Sequence, residues 1–190
     1  MYKKYTIPLS IFIVFENVNT IVWTSEKFYN NSYILYINNT WFYGINSFFK
    51  NDVFLSNSTL LENSAIDNKN NQIWMKKQSD FFCTSTLLFY IYYFFTIKTK
   101  IMLISNYSNN TKLFFSVDML YKSAGWLERE TGEMFKVFYK FKTDNRRLLL
   151  DYSKQEYPLL KDYPTEGFND VFYNFFEDQV VSNNLTVVEL

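Results

Sequence analysis

The side chains best equipped for chemistry are crowded between residues 126 and 164. Glu128, Arg129 and Glu130 are consecutive, and all three arginines of the 190-residue chain, Arg129, Arg146 and Arg147, lie in this interval. Two carboxylates so close together invite a general acid–base reading. Adjacent residues on a helix point apart, however, and the chain has no histidine and a single cysteine, Cys83. No nucleophile, base or ligand set joins the glutamates, so no catalytic, cofactor-binding or metal-ligating residue is assigned. The same scarcity argues against an intrinsic zinc site or iron–sulfur cluster and against an intrachain disulfide. With 19 basic and 19 acidic side chains, the chain lacks the electrostatic footprint of a nucleic-acid binder. What arginine does offer is a planar fork of donors that lysine cannot reproduce. Arg129 is therefore expected to clamp a carboxylate, of this chain or of a neighbour. Arg146 and Arg147 either form an anion site or tie the C-terminal segment to the domain through carboxylates such as Asp151 or Asp162. The second reading is adopted.

These residues need elements to hold them. The spacing predicts a helix from about Trp126 to Phe138, with Leu127, Thr131, Met134 (or Phe135) and Phe138 along one face. Arg129 and Glu133, four apart, are expected to pair on its exposed side. Before it, Ser116 is a good N-cap with Asp118 in the first turn, predicting a short helix from Val117 to Ser123 or Ala124. After Asp151, Pro158 and Pro164 forbid a long helix and set an extended path. The run Asp170–Phe176 reads as a strand, and its dense aromatics are expected to be buried in an assembly.

Residues 81–97 carry no charge. That tempts a membrane assignment, and a small membrane-anchored protein spanning at 81–104 is the alternative reading. A bilayer span needs about 20 predominantly apolar residues, and this run is broken by threonines, tyrosines and a serine. Its aromatic and β-branched content favours a strand, with Ile97–Ile101 as a turn into a second strand at Ile101–Ile104. Lys3 and Lys4 followed by an apolar run to Phe15 imitate a signal peptide. No small-residue cleavage site follows, and a buried strand or helix is expected instead. Residues 26–80 alternate Asn/Ser-rich turns with aromatic patches such as Tyr33–Ile37 and Trp41–Tyr43. Periodicity leaves open whether these patches are strands or helical turns.

Three blocks within 126–164 carry a resemblance. Trp126, Glu128, Arg129, Glu130, Met134 and Phe135 match a block like W-x-E-R-E-x-x-D-M-F-G. Asp144, Arg146, Arg147, Leu148, Leu150, Asp151 and Tyr152 match one like H-P-D-L-R-R-I-L-x-D-Y. Pro158, Leu159, Lys161, Asp162 and Pro164 match one like G-H-P-L-R-K-D-F-P. In this order and spacing the chain resembles the 30 kDa subunit of respiratory complex I, NADH:ubiquinone oxidoreductase, whose members include mitochondrially encoded subunit 9 and the bacterial C subunit. The resemblance covers about residues 113–175 and extends back to about residue 87. Departures are Glu133 for aspartate, Lys136 for glycine, Lys142 and Tyr157 for histidines, Thr143 for proline, Leu160 for arginine and Tyr163 for phenylalanine. Lys136 argues against a tight glycine turn after the first block.

The resemblance implies an α+β fold: a small antiparallel or mixed sheet with helices on one face, then an extended C-terminal segment. Residues 1–140 would form the domain, and 141–190 the segment lying on a partner. It implies a non-catalytic, structural subunit of the peripheral arm's ubiquinone-reducing module, supporting electron transfer from NADH to ubiquinone. Flavin mononucleotide and iron–sulfur clusters would sit in neighbouring subunits, and the 49 kDa hydrogenase-like subunit would be a partner. The location implied is the matrix side of the mitochondrial inner membrane, with no span of its own. The 21 Phe, 16 Tyr and 21 Asn against 4 Gly and 3 Pro reflect AT-rich codons, consistent with an organellar gene, which would need no presequence. The residues expected at interfaces or in the scaffold are Trp126, Glu128, Arg129, Glu130, Phe135, Arg146, Arg147, Asp151, Tyr152, Pro158, Lys161, Asp162 and Pro164.

Overall fold

A computed structural model describes residues 22–27, 32–69, 86–107, 114–152 and 156–185. The apolar runs at residues 1–21 and 81–85 lie outside the described residues. The central sheet has five strands, β1 (Val22–Lys27), β2 (Ser32–Ile37), β3 (Ser58–Asp67), β4 (Thr86–Phe94) and β5 (Thr99–Tyr107), in the order β1-β2-β5-β4-β3. All neighbours are antiparallel except β2 and β5, which run parallel with Tyr33 opposite Ile101 and Leu35 opposite Leu103. The fold is therefore α+β with a mixed sheet, as the three blocks imply.

The uncharged run is a hairpin. β4 and β5 pair from Thr86–Tyr107 to Phe94–Thr99 around a four-residue turn, with Lys98 at φ 51°. Residues 86–104, expected in the alternative reading to form a membrane span, are thus strands of the central sheet and the turn between them, not a membrane-spanning helix. Among the described residues no helix is long and apolar enough to cross a membrane.

Helix α1 (Asn39–Asn51) covers one sheet face. Its Phe42, Ile45 and Phe49 recur at helical spacing and are buried. Phe42 meets Tyr90 at 4.6 Å and Phe114 at 4.5 Å, while Phe49 stands edge-on to Phe94 at 5.1 Å. Each ring contributes about 1.5–3 kcal/mol by burial, and each such pairing about 0.5–1.5 kcal/mol more. Of the two open patches, Tyr33–Ile37 is a strand and Trp41–Tyr43 lies on this helix.

Helix α2 (Ala124–Phe135) packs on the same face with Ala124, Glu128 and Thr131 buried. It starts two residues before the predicted start and stops three before the predicted end. Lys136 takes the left-handed conformation, φ 59° and ψ 39°, and closes it. The tight turn is thus present although a lysine makes it. Val137 then turns inward and Phe138 outward, at 55% exposure, so Phe138 is not part of the helix face expected of it. The short helix predicted at 117–124 is only a turn. The Val117 carbonyl accepts from both Leu120 (3.0 Å) and Tyr121 (2.9 Å), and a separate turn closed by the Ala124 N–H on the Tyr121 carbonyl at 3.0 Å leads into α2. Ser116 does act locally as expected, its Oγ accepting the Asp118 N–H at 3.2 Å.

Two small ladders complete the described chain. β6 (Phe114–Phe115) and β7 (Tyr139–Lys140) run parallel, and β8 (Asn169–Asn174) and β9 (Gln179–Asn184) form an antiparallel hairpin. The predicted strand at 170–176 is β8. Its consecutive Val171, Phe172 and Tyr173 are all exposed, so neither face of the strand is covered by the described residues.

Candidate functional site

Glu128 lies fully buried at the sheet-facing side of α2. A carboxylate in that position needs a cation and donors to offset lost hydration. Lys142 Nζ stands 3.1 Å away with its own side chain 2% exposed. Ser116 Oγ donates at 2.5 Å, the Val117 N–H at 2.9 Å and the Tyr90 hydroxyl at 3.4 Å. Burial pushes the Glu128 carboxyl upward, and Lys142, Ser116 and the Val117 amide pull it part of the way back. Burial also raises Tyr90 and Tyr139, which keeps both hydroxyls protonated. Beside this pair, Asp118 Oδ2 accepts the Thr143 N–H at 2.9 Å and its hydroxyl at 2.7 Å. Burial alone would raise Asp118, but the Thr143 donors, Ser116 and the Lys142 charge together leave it lowered. Two carboxylates therefore pin Lys142 and Thr143, and with them the chain leaving β7.

The next turn of α2 holds the segment that follows. Arg129 Nε donates to the Arg146 carbonyl at 2.7 Å and Nη2 to the Arg147 carbonyl at 2.9 Å, with Asp144 at 3.4 Å. Glu133 accepts the N–H groups of Leu148, of Leu149 at 2.9 Å and of Leu150 at 3.1 Å. The two side chains expected to pair with each other instead read one strip of backbone, its carbonyls by the guanidinium and its amides by the carboxylate. Each isolated polar backbone group satisfied in this way is one that solvent need not reach.

The third block lies on the far end of α2 and the tip of β3. The Leu159 N–H donates to the Met134 carbonyl at 3.2 Å. The Lys161 N–H donates to Asp67 Oδ2 at 3.0 Å, Lys161 Nζ reaches the Lys69 carbonyl at 2.8 Å, and Asp162 pairs with Lys69. Pro158 is half-buried and Pro164 buried.

The expected role of Arg146 needs correction. Arg146, 78% exposed on its side chain, pairs with Asp144 two residues before it, at 2.9 Å. That fork, helped by the Arg146 amide, holds the Asp144 carboxyl well below the usual range. Arg147 Nη1 donates to the backbone carbonyl of Asp151. A two-residue reach closes sooner than one to a distant carboxylate, so the Arg146 fork stays within its own segment and does not tie the tail to the domain. Arg129 does that. Trp126 is 64% exposed with the Arg129 guanidinium over its ring at 5.4 Å. Glu130, Asp151 and Tyr152 are exposed, and Phe135 packs at the core's edge.

A cleft of about 460 Å³ runs between α2 and the 142–147 segment, with Glu128 and Lys142 in its floor and Arg129, Glu133, Arg146 and Arg147 along its walls. Its charged groups are engaged with one another, with backbone or, for Glu156, with the Tyr163 hydroxyl. Among the described residues no group of three His, Cys, Asp or Glu side chains could hold a metal ion. The partners missed in the sequence are Lys142 and Thr143, Asp67 and Lys69. The last two fall in an Asn/Lys-rich stretch that reads only as a surface turn.

With this geometry in view, the comparison with known proteins is decisive. The family model described as respiratory-chain NADH dehydrogenase, 30 Kd subunit, matches residues 36–169. The chain belongs to this family. The subunit 9 of NADH-ubiquinone oxidoreductase from Paramecium primaurelia is 32% identical over 177 residues, covering 91% of this chain and 82% of that protein. A plant relative, the NADH dehydrogenase [ubiquinone] iron-sulfur protein 3 of Marchantia polymorpha, is 37% identical over 91 residues, 48% of this chain and 46% of that one. Among solved structures, the trypsin-resistant fragment (1-134) of Nqo5 superposes with a TM-score of 0.56 at 12% identity, covering 73% of this chain and 99% of that one. A chain in the structure of an archaeal membrane-bound sulfane sulfur reductase gives 0.62 at 16%, covering 82% and 85%. These two show the fold. The family's three blocks are contiguous in space: the first is α2, the second is the strip α2 grips, and the third docks at its C-terminal end.

Proposed function

We propose that this chain is a structural subunit of the peripheral arm of respiratory complex I, in the ubiquinone-reducing module, on the matrix side of the mitochondrial inner membrane. It supports electron transfer from NADH to ubiquinone by holding its neighbours in place, the 49 kDa hydrogenase-like subunit foremost. Flavin mononucleotide and the iron–sulfur clusters belong to those neighbours, and this chain binds no redox cofactor. Its gene lies in the mitochondrial genome. Family membership supports the setting, since the relatives are by name subunits of NADH-ubiquinone oxidoreductases.

The observation that carries the scaffold role is the fate of the tail. Its root is fixed by Arg129, Glu133 and the Asp67–Lys161 contact, yet its hairpin leaves Phe175 86% and Phe176 fully exposed. Apolar surface of that kind on a firmly rooted arm suits burial against another chain. Native gel electrophoresis tests the reading: the chain should migrate with NADH dehydrogenase activity. The exposed Arg146 fork should serve the same joint, so Arg146→Ala should lower the amount of assembled complex. Normal abundance with low turnover per complex would point to a role in chemistry and count against a scaffold.

A further inference from the structure

Phe141 follows β7 with φ +58° and its side chain is 70% exposed. Bulky residues rarely take the left-handed conformation, and such strain gathers where a surface is used. An exposed ring adds a second disadvantage. The ring is not isolated: it stacks on Phe115 at 5.8 Å and 24°, and Phe115 meets Tyr43 of α1 at 6.2 Å. Lys140 Nζ sits over both phenylalanines, 5.0 Å from Phe141 and 5.9 Å from Phe115. No carboxylate pairs with Lys140 among the described residues, and whereas Lys50 and Lys136, likewise without one, each sit over a single ring, Lys140 sits over two. The rings hold this ammonium in place but cannot neutralise it.

From this juxtaposition we infer that the row Tyr43–Phe115–Phe141, with Lys140 over it, is a docking face for an acidic segment of another protein chain. A partner aspartate or glutamate accepts from Lys140, and an apolar neighbour of that residue packs on the Phe141 ring. The backbone conformation lifts the ring out to meet it. This face involves none of the hairpin residues, so it predicts a contact separate from the one proposed for the tail.

Zero-length carbodiimide coupling on the native assembly is the test, with coupled peptides sequenced by mass spectrometry. The expected product is an amide between Lys140 and an aspartate or glutamate of another chain. Coupling of Lys140 only within this chain, coupling to phosphatidylserine, or no coupling would each overturn the inference. A variant gives an independent readout. Phe141→Gly relieves the strained turn, so the purified chain should melt a few degrees higher, while its incorporation into the assembly should fall several-fold. Unchanged incorporation would overturn the docking role. Should the chain prove to sit in an assembly other than complex I, the same coupling there still decides this face.

Discussion

Glu133 Oε2 accepts the Leu149 N–H at 2.9 Å across sixteen residues of sequence, one helical turn beyond the arginine that holds the neighbouring carbonyls. A carboxylate with three consecutive amides is a strong local tether, because charge-assisted bonds exceed neutral ones. Glu133→Gln keeps the shape and removes the charge. It should destabilise the chain by about 1–3 kcal/mol and raise amide exchange at Leu148–Leu150 while exchange in β4 and β5 stays slow. Unchanged exchange at those three amides would contradict the tether.

Lys142 and Glu128 form a pair whose halves are costly alone. Lys142→Met leaves a carboxylate buried without its cation, and about 3–5 kcal/mol should be lost. The double variant with Glu128→Gln should recover much of that, because the charge needing compensation is gone. Chemical denaturation of the two singles and the double gives the coupling. Additive losses would mean that the two side chains do not act as a pair.

The turn after α2 offers a gain. Lys136 sits at φ 59° where glycine meets no steric penalty. Lys136→Gly should stabilise by about 0.5–1 kcal/mol, less whatever the ammonium gains over the Tyr157 ring at 5.3 Å. Gly132→Ala should do the opposite, since a Cβ there would lie 3.0 Å from the Val137 carbonyl oxygen. Melting midpoints check both signs, and a stabilising alanine would refute this description of the turn.

Two carboxylates give opposed pH dependences. Asp118 is lowered in the fold, so its contribution is present above the unfolded value of about 3.9 and disappears as pH falls through its folded value. Glu128 is raised, so its contribution is full below about 4.3 and declines as pH climbs through its folded value. Asp118→Asn should flatten the acid limb of a melting-point profile. Glu128→Gln should remove the decline on the other side. Parallel profiles for all three proteins would sink the assignment.

The resemblance of the three blocks carried the α+β class, while the β4–β5 hairpin and α2 were legible in the residues themselves, because a long apolar stretch with β-branched residues and a dense charged block leave few choices. Sequence order misjudged detail wherever a distant partner decided the outcome. Arg129 and Glu133 have helix-pair spacing, yet backbone fifteen or more residues away outbids each for the other. Lys136 has no glycine's freedom but takes the glycine conformation, because Val137 and Tyr139 must turn inward to the core. Glu128 reads as a scaffold or interface residue with no partner to name, and only the approach of Lys142 from beyond β7 shows that it is buried within the chain. Asp67 carries no local mark of its hold on Lys161.

The parallel pairing of β2 with β5 has a consequence for biosynthesis. Ser32 finds its sheet neighbour only at Lys100, so the middle of the sheet stays open until the ribosome has made the chain through residue 107. Closing so long a span is entropically slow, and α1 with its aromatic inner face waits uncovered meanwhile. A nascent chain halted before β5 should therefore be captured by chaperones, and release should coincide with the emergence of that strand.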